Sequence, residues 1–339
     1  MSRLRKLFDT TGLYEKNLLK PEDVPYLLSN NWHRADLHIH TSYSNDVLPS
    51  KSLDPLTLYR KARKKGLRYI SFTDHDTMDA YDRVGWEREG LVPGVEIKIR
   101  DRVRVGHTLH INVYELNKEQ FKELNEIAKK ERNLEKFLAY LKQHDLPFVY
   151  NHPFWFAHRE RPNHRAIDRL MPLFPVVEYN MHRVKQKNSL TVKMAAKHKK
   201  GIMAATDTHI GDIGKAYTVA QGETFREFYN NIRDGKAYIM PQDLTLNALK
   251  NETNAWIDLI FNLDVNPTKK NHYTGIRPVD ALINMGTRGT LTTSRRLKKP
   301  ARKVVTTLNK SGAPAICYIK FQHLLAFRDI RQLKLANIL

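Results

Sequence analysis

Short apolar runs alternate with amphipathic stretches from about residue 31 to residue 240, and this alternation predicts an α/β architecture. Short apolar runs predict strands at 34–41, 68–75, 92–99, 108–116, 147–153, 176–180, 201–209 and 236–240. Amphipathic periodicity predicts helices at 53–66, from Lys118 to His144 behind an Asn117 N-cap, at 184–200 and around 223–234. Strands 92–99 and 108–116 are expected to be neighbours.

The pattern changes after residue 240. The stretch 303–321 predicts two strands joined by a Ser-Gly turn, and 322–335 predicts a helix. We therefore expect a basic N-terminal segment over 1–30, a barrel over 31–240 and a small basic accessory region, of α+β type, over 241–339. The pattern does not decide whether this last region is a separate small domain or the outer edge of the barrel.

The chain carries a large excess of positive over negative charge, which bears on the partners it can bind. The formal net charge is +21, and residues 241–339 alone hold 16 Lys and Arg against 6 Asp and Glu. A positive field of this size attracts phosphate-rich partners such as a nucleotide or a nucleic acid. Net charge reports a field and not a site, so the alternative that the excess of cations only keeps the protein soluble stays open.

Composition narrows the class of protein. The chain has 339 residues, of which 41% are hydrophobic and 27% charged, the balance of a globular enzyme. Neither a signal peptide nor an apolar run of about 18–20 residues, the length that spans a bilayer, is evident. The single cysteine, Cys317, excludes an internal disulfide and is typical of a cytoplasmic protein. Any bound metal must therefore be held by His and carboxylate ligands.

Candidate ligands recur at the predicted strand ends. His38 and His40 alternate along the first strand and share a face, and Asp207 with His209 repeats this spacing in 201–209. The other candidates of the same kind are Asp46, His75, Glu96, His110 and His152. One such residue is more often a hydrogen-bonded structural side chain than a ligand. In a barrel of parallel strands, however, these ends open on one face.

The recurrence indicates a metal cluster. Burying so many titratable groups together without a cation would be costly in desolvation and repulsion. The donor set of six imidazoles and three carboxylates suits zinc, manganese or iron rather than magnesium or calcium. Nine donors are too many for one ion and enough for two or three, which would activate a water as hydroxide and orient a phosphate.

The chain resembles the PHP (polymerase and histidinol phosphatase) superfamily over roughly residues 33–240. The resemblance lies in six motifs that follow the family's order, DLHIHTSYSND (36–46), FTDHDT (72–77), GVEI (94–97), LHINVY (109–114), NHP (151–153) and ATDTH (205–209). It implies a distorted (β/α)7 TIM-like barrel that hydrolyses phosphate esters with two or three divalent metal ions. The implied ligands are His38, His40, Asp46, His75, Glu96, His110, His152, Asp207 and His209.

The resemblance also suggests roles within this set. His38, His40, His75 and Asp207 are expected to carry catalysis. The fourth-strand ligand is the most ambiguous position, because His107 lies three residues before His110 and competes with it.

Several residues around the cluster are weaker candidates. Cationic side chains in the loops that follow the predicted strands either hold a substrate phosphate or are solvated surface charges, and the second interpretation is favoured for each of Arg100, Arg159, Arg161, His182, Arg183 and Lys215. Asp36, Asp74 and Asp76 are expected either to orient imidazoles or to cap strand ends, and Glu178 either to line the barrel mouth or to pair with a lysine. The aromatic side chains that either stack a base or cover the barrel are Tyr43, Trp155 and Phe156.

Three functions follow from these patterns. The leading expectation is hydrolysis of a phosphate ester by metal-activated hydroxide, on a phosphorylated small molecule, a nucleotide or a nucleic-acid end. The second is a module that binds nucleic acid or an anionic surface on a PHP scaffold, which the complete ligand set disfavours. The third is hydrolysis of a carbon–nitrogen bond, which ranks last because no carboxylated-lysine position is evident.

Overall fold

A computed structural model describes residues 17–157, 160–262, 284 and 296–339 as a mixed α/β protein. The strands are β1 (Trp32–Ile39), β2 (Tyr69–Phe72), β3 (Gly94–Ile99), β4 (Leu109–Tyr114), β5 (Phe148–Tyr150), β6 (Val176–Asn180), β7 (Gly201–Ala205), β8 (Tyr217–Gln221) and β9 (Tyr238–Met240). The helices are α1 (Val24–Ser29), α2 (Pro55–Lys64), α3 (Asp79–Val84), α4 (Lys118–Glu126), α5 (Leu134–Gln143), α6 (His164–Leu170), α7 (Lys185–Lys197), α8 (Phe225–Arg233), α9 (Leu246–Phe261), α10 (Lys298–Ser311) and α11 (Ala313–Leu335).

The strands form two sheets with orders β2-β1-β8-β9 and β3-β4-β5-β6-β7. Single bridges join the sheets on both sides, between Ile39 and Thr208 and between His75 and Glu96. Among the described strands, the two sheets do not merge into one closed barrel. The prediction of an α/β fold is confirmed, and the sheets enclose a shared apolar core.

Strand β4 runs antiparallel to both β3 and β5, so the expectation of uniformly parallel strands is wrong at this point. The pairing of β3 with β4 itself is confirmed, with Glu96 opposite Asn112 and Lys98 opposite His110. Because β4 is reversed, the start of this strand faces the edge where its neighbours β3 and β5 end. His110 therefore reaches that edge from the second residue of its strand.

The long helix predicted between Lys118 and His144 is two helices. The chain leaves α4 through a π-helical turn, and Arg132 then adopts a left-handed backbone with φ of 53°. The Asn133 side chain accepts a hydrogen bond from the Lys136 amide and starts α5 anew. The predicted N-cap Asn117 is confirmed, since its side chain accepts from the Gln120 amide.

The two strands predicted in 303–321 are wrong, because α10 and α11 occupy that stretch. Val304 and Val305 suggested a strand, but β-branched residues are only weakly disfavoured in helices when the helix can pack. Gly312, with φ of 73°, ends α10 and separates the two helices in place of the predicted hairpin turn. The helix predicted over 322–335 is confirmed as the second half of α11. No described helix is long and apolar enough to cross a membrane.

A buried ion pair joins α11 to α6 and α7. Asp329 is fully buried, and its Oδ1 lies 2.9 Å from His164 Nε2 of α6. Its Oδ2 lies 3.7 Å from Lys187 Nζ of α7, a buried ammonium that also donates to the Phe154 carbonyl at 2.8 Å. Burial lowers the pKa of Lys187 to about 8 against the opposing effect of Asp329. Helix α11 is thus held to α6 and α7 by one buried polar cluster.

We expect Asp329→Ala to lower the free energy of unfolding by about 3 kcal/mol, because it leaves the Lys187 charge buried without its carboxylate. Asp258→Ala is the matched control, since Asp258 pairs with Arg302 on the surface, at exposures of 61% and 44%. This control should cost about 1 kcal/mol or less. Urea denaturation of both variants measures the difference, and equal losses would contradict the anchoring role of Asp329.

Candidate metal centre

Strand β1 delivers two imidazoles to the edge between the sheets. His38 and His40 are both fully buried, and their Nε2 atoms lie 3.1 Å apart. The period of two along a strand explains why both rings point the same way. Asp36, two residues earlier on the same face, is fully buried behind them.

The turn after β7 adds a carboxylate to this pair. Asp207 Oδ1 lies 3.1 Å from His40 Nε2 and 3.3 Å from His38 Nε2. The Asp207 amide donates to the His38 carbonyl at 2.8 Å, and Asp207 has a left-handed backbone with φ of 51°. His152, after β5, also has a positive φ, of 28°. Two predicted ligands thus adopt a backbone that non-glycine residues rarely take, which is common at functional sites.

Glu96 lies at the centre of the cluster. Its Oε2 is 2.8 Å from His75 Nδ1 and 3.4 Å from the Nε2 atoms of both His38 and His40. Among the described residues, this buried oxygen has no hydrogen-bond partner despite its neighbours. Its Oε1 lies 3.0 Å from His110 Nδ1.

Further rings and a carboxylate complete the group on either side of Glu96. His152 Nε2 lies 3.3 Å from Glu96 Oε1. Asp46 Oδ2 lies 2.9 Å from His75 Nε2 and 3.2 Å from His209 Nε2. The structure therefore brings all nine predicted ligands into one continuous set of contacts.

Three overlapping groups in this set could each hold a metal ion, with ligand atoms within 4.8 Å of one another. They are His40 with Asp46, His75 and His209; His38 with His40 and Glu96; and His75 with Glu96 and His110. Donors about 2.1 Å from one ion are separated by about 3.0–3.4 Å. The contacts of 3.1, 3.3 and 3.4 Å between His38, His40, Asp207 and Glu96 fall in this range. A bound cation would also supply the missing partner of Glu96 Oε2.

Electrostatics divide the imidazoles into two kinds. Burial opposes charge on the His75 ring, but Asp46 and Glu96 raise its pKa to about 9. Burial likewise opposes charge on the His209 ring, but the neighbouring Asp46 carboxylate raises its pKa to about 9. Burial and the neighbouring His209 instead lower the pKa of His40 to about 3. Protonated rings thus balance the carboxylates of the cluster, a role that divalent cations would take over on binding.

Glu178 of β6 orients the first ligand. Its Oε1 lies 2.6 Å from His38 Nδ1, and its Oε2 accepts from the His152 amide at 3.0 Å. Asn180, two residues on, donates to both Glu178 and Asp207 at 3.0 Å. The alternative that Glu178 pairs with a lysine is therefore replaced by a contact to an imidazole. A carboxylate behind a ligating histidine fixes the ring and its tautomer.

The three aspartates expected either to orient imidazoles or to cap strand ends do not contact those rings through hydrogen bonds in the described chain. Asp36 accepts from the Thr206 hydroxyl and the Gly214 amide, at 2.7 and 2.8 Å. Asp74 accepts from both the amide and the hydroxyl of Thr41 at 2.6 Å. Burial raises the pKa of Asp36 to about 6 and that of Asp74 to about 7. These carboxyls hold the loops that carry ligands.

The third of these aspartates lies further out. Asp76 Oδ1 accepts from the Lys98 amide at 3.0 Å and lies 2.8 Å from Lys129 Nζ. Its role is therefore to join the turn after β2 to β3 and to the π-helical turn behind α4.

The two neighbouring histidines, His107 and His110, lie in different surroundings. His110 contacts Glu96, whereas the His107 ring lies 5.1 Å from the Phe156 ring, and neither His107 nitrogen has a hydrogen-bond partner among the described residues. Phe156 is partly buried and packs against the apolar core. The Trp155 ring instead lies 4.6 Å from the His110 ring, at the edge of the cluster.

The weaker cationic candidates differ in how close they lie to the predicted metal ligands. Arg183 Nη2 lies 4.0 Å from Asp207 Oδ2, and the side chain is 15% exposed. Arg100 pairs with Glu160 at 3.2 Å and Lys215 with Asp212 at 2.6 Å. Among the described residues, neither pairs with any of the nine predicted ligands. Arg159 lies outside the described residues.

Helix α9 of the accessory region reaches the site, which sequence patterns did not predict. Glu252 Oε2 lies 3.3 Å from His182 Nδ1, and the His182 ring is 6.3 Å from the His209 ring. His182 Nε2 and Arg183 Nε are buried and have no hydrogen-bond partner among the described residues. Two cationic side chains with unused donors thus stand beside the predicted ligands.

Ser44 was also missed. Its hydroxyl donates to Asp46 at 2.7 Å and lies 3.3 Å from His40 Nδ1. Asn151, from the NHP motif, donates to Glu96 at 2.9 Å. Ser44 and Asn151 both lie within the motifs that suggested the ligands. A polar residue inside an otherwise buried stretch was the feature of the sequence that could have identified them.

The chain is similar to several solved structures at low sequence identity. No protein-family model matches the chain, and no curated protein matches it. PsfC from Pseudomonas syringae PB-5123 is 15% identical, with a TM-score of 0.45, over 62% of this chain and 92% of that one. A suggested metal-dependent phosphoesterase from Bifidobacterium adolescentis is 16% identical, with a TM-score of 0.40, over 59% and 96%.

A third similar structure is the lesion-specific endonuclease PfuEndoQ from Pyrococcus furiosus. It is 18% identical, with a TM-score of 0.42, over 62% of this chain and 58% of that one. All three TM-scores lie below 0.5, so the functional argument below rests on the residues of this chain.

We expect Glu178→Gln to weaken metal binding about 10–100-fold, because the amide no longer fixes the His38 ring as a carboxylate does. Competition with a fluorescent chelator for Zn²⁺ or Mn²⁺ measures the change. Glu223→Gln is the control, since Glu223 lies at the surface with 75% exposure. Unchanged affinity in Glu178→Gln would contradict the orienting role.

Proposed function

We propose that this protein is a metal-dependent phosphoesterase of the PHP type. The observation that carries the proposal is the buried Glu96 carboxylate, with an unpartnered oxygen between three imidazole nitrogens. All nine side chains that the motifs suggest as ligands, Glu96 included, lie in one continuous set of contacts. On this proposal the two sheets correspond to a distorted (β/α)7 barrel, in which only single bridges connect one sheet to the other.

The ligand set supports two or three divalent ions of zinc, manganese or iron. Such ions, when bound, lower the pKa of a water molecule and neutralise charge on a phosphate. The chain's own residues supply the geometry. Glu178 holds His38 and the His152 amide in place, and Asn180 holds Asp207 by donating to Oδ2. The catalytic set under this proposal is His38, His40, His75 and Asp207.

Arg183 and His182 form the cationic side of the proposed substrate site. Arg183 presents an incompletely paired guanidinium 4.0 Å from Asp207, and such a group suits the oxygens of a phosphate. Glu252 of α9 orients His182 from the other side. Arg100 and Lys215 stay weaker proposals because each already pairs with a carboxylate. Trp155 at the rim is suited to stack a base, which favours a nucleotide or a nucleic-acid end.

Hydrolysis of a carbon–nitrogen bond is the second candidate reaction of the same metal centre. Arg183 favours the phosphate ester, since a cation beside the ligands stabilises the two negative charges of a phosphate more than a neutral amide. A cyclic amide panel beside a phosphoester panel separates the two reactions.

We expect His38→Ala and Asp207→Ala to reduce hydrolysis of phosphomonoesters, phosphodiesters and oligonucleotides at least about a thousandfold with Mn²⁺ or Zn²⁺. The reason is that each removes a donor from the most buried part of the cluster. Elemental analysis should show less bound metal in both variants. His33→Ala, a partly buried imidazole at the other end of β1, is the control. A metal-loaded wild-type protein without activity on the whole panel would reject the proposal.

We expect Arg183→Ala to raise the KM for a phosphoester about tenfold or more, because a charge-assisted hydrogen bond to the substrate is lost. Glu252→Gln should raise KM by a smaller factor through His182. Metal content should stay at the wild-type level in both. Arg233→Ala, whose side chain is 48% exposed and paired with Asp234, is the matched control. An unchanged KM in Arg183→Ala would remove this residue from the substrate site.

A further inference from the structure

The outer face of the C-terminal helices is unusually apolar for a protein surface. Of the fourteen large hydrophobic side chains that are exposed in the described chain, nine lie in residues 296–339. On α11 they include Ile316, Phe321, Leu324 and Leu335, with exposures of 39%, 54%, 67% and 69%. Exposed apolar side chains that cluster in this way mark an interaction surface.

Helical geometry places these four side chains on one face. At 100° per residue, Ile316, Phe321, Leu324 and Leu335 fall within an arc of about 140° on α11. The buried side chains of the same helix are Ala315, Ala326, Asp329, Ile330 and Leu333, and they occupy the remaining side, toward the barrel. We call the exposed arc the outer face of α11.

Basic side chains stand among the apolar ones on the outer face. Lys320, Arg328, Arg331 and Lys334 are all exposed and fall within the same arc. Residues 296–339 hold ten Lys and Arg and a single acidic residue, and that residue, Asp329, is buried on the opposite side. The outer face therefore offers apolar contact and positive charge together.

Helix α10 repeats the pattern. Val304 and Leu308 are 58% and 54% exposed, and they lie one turn apart on the same side of the helix. Lys303 and Lys310 are exposed nearby in sequence. Two consecutive helices thus carry the same combination of side chains.

We propose that the outer face of α11, with α10, binds the surface of an anionic lipid bilayer. A surface that presents Leu, Phe and Ile together with Lys and Arg suits the membrane interface, where acyl chains take up the apolar side chains and anionic headgroups take up the charges.

Other occupants satisfy only part of this face. Nucleic acid would pair with Arg328 and Arg331 but would leave Leu324 and Leu335 without apolar contacts. A second copy of the chain would cover the apolar side chains but would bring the four basic residues of the outer face of α11 against the same four. An anionic bilayer matches both properties at once.

The test is binding of the full-length protein to vesicles. Wild type should cosediment with vesicles of equal parts phosphatidylglycerol and phosphatidylcholine, and much less with pure phosphatidylcholine. The double variant Phe321→Gln/Leu324→Gln should bind the anionic vesicles at least about tenfold more weakly. Arg328→Gln/Arg331→Gln should lose about fivefold for each charge, with the loss diminishing at high salt.

Val103→Gln is the matched control, because Val103 is 92% exposed on the loop between β3 and β4, away from α11 in sequence. It should bind vesicles as wild type does, and circular dichroism should show that every variant is folded. Absence of wild-type binding to anionic vesicles would overturn the proposal, and so would unaltered binding by Phe321→Gln/Leu324→Gln.

Two further results would assign the outer face to a different partner and overturn the proposal. One is a dimer, without vesicles, that Phe321→Gln/Leu324→Gln dissociates. The other is binding of an oligonucleotide that this variant loses while wild type fails to bind vesicles. Vesicle binding requires no hydrolysis, so its outcome is independent of the proposed phosphoesterase. Hydrolysis of a soluble phosphoester by the outer-face variants should equal that of wild type.

Discussion

The structure depends on compensating charge around one buried carboxylate, Glu96. Burying an ionised carboxylate alone is prohibitively costly, and burying several imidazoles and carboxylates together requires each charge to have a partner. Without a cation, protonated His75 balances Asp46 and Glu96, as its raised pKa of about 9 indicates. With cations, neutral imidazoles and ionised carboxylates become the favoured state. The same side chains thus favour a fold and a metal centre at once.

Polar groups of the surrounding fold hold the predicted ligands in place through hydrogen bonds. His152 and Asp207 adopt positive φ, which costs free energy and turns their side chains toward the cluster. Hydrogen bonds to the backbone hold both turns, since Glu178 accepts the His152 amide and the His38 carbonyl accepts the Asp207 amide. Rigid positions of this kind are what a metal cluster needs, because donor separation decides whether an ion is bound.

Local sequence predicted most of the elements and failed where packing overrides local preference. The alternation of apolar and polar positions located seven of the strands that hold the site, and Asn117 marked a helix start correctly. Val304 and Val305 have strand preference, yet they lie in α10, because the helix packs against α9 and α11. The reversal of β4 and the break at Arg132 were equally hidden, since pairing direction and a single left-handed residue leave no periodic signal.

The sequence by itself determined the chemistry of the site: the motifs name nine donors whose types suit a cluster of divalent ions, and spacing puts His38 and His40 on one face. Tertiary structure alone decided which groups stand behind and beside them. Glu178 lies in β6, 140 residues from His38, and Glu252 lies in α9, 70 residues from His182. Such partners are chosen by how sheets and helices pack, and packing brings together residues that no local pattern relates.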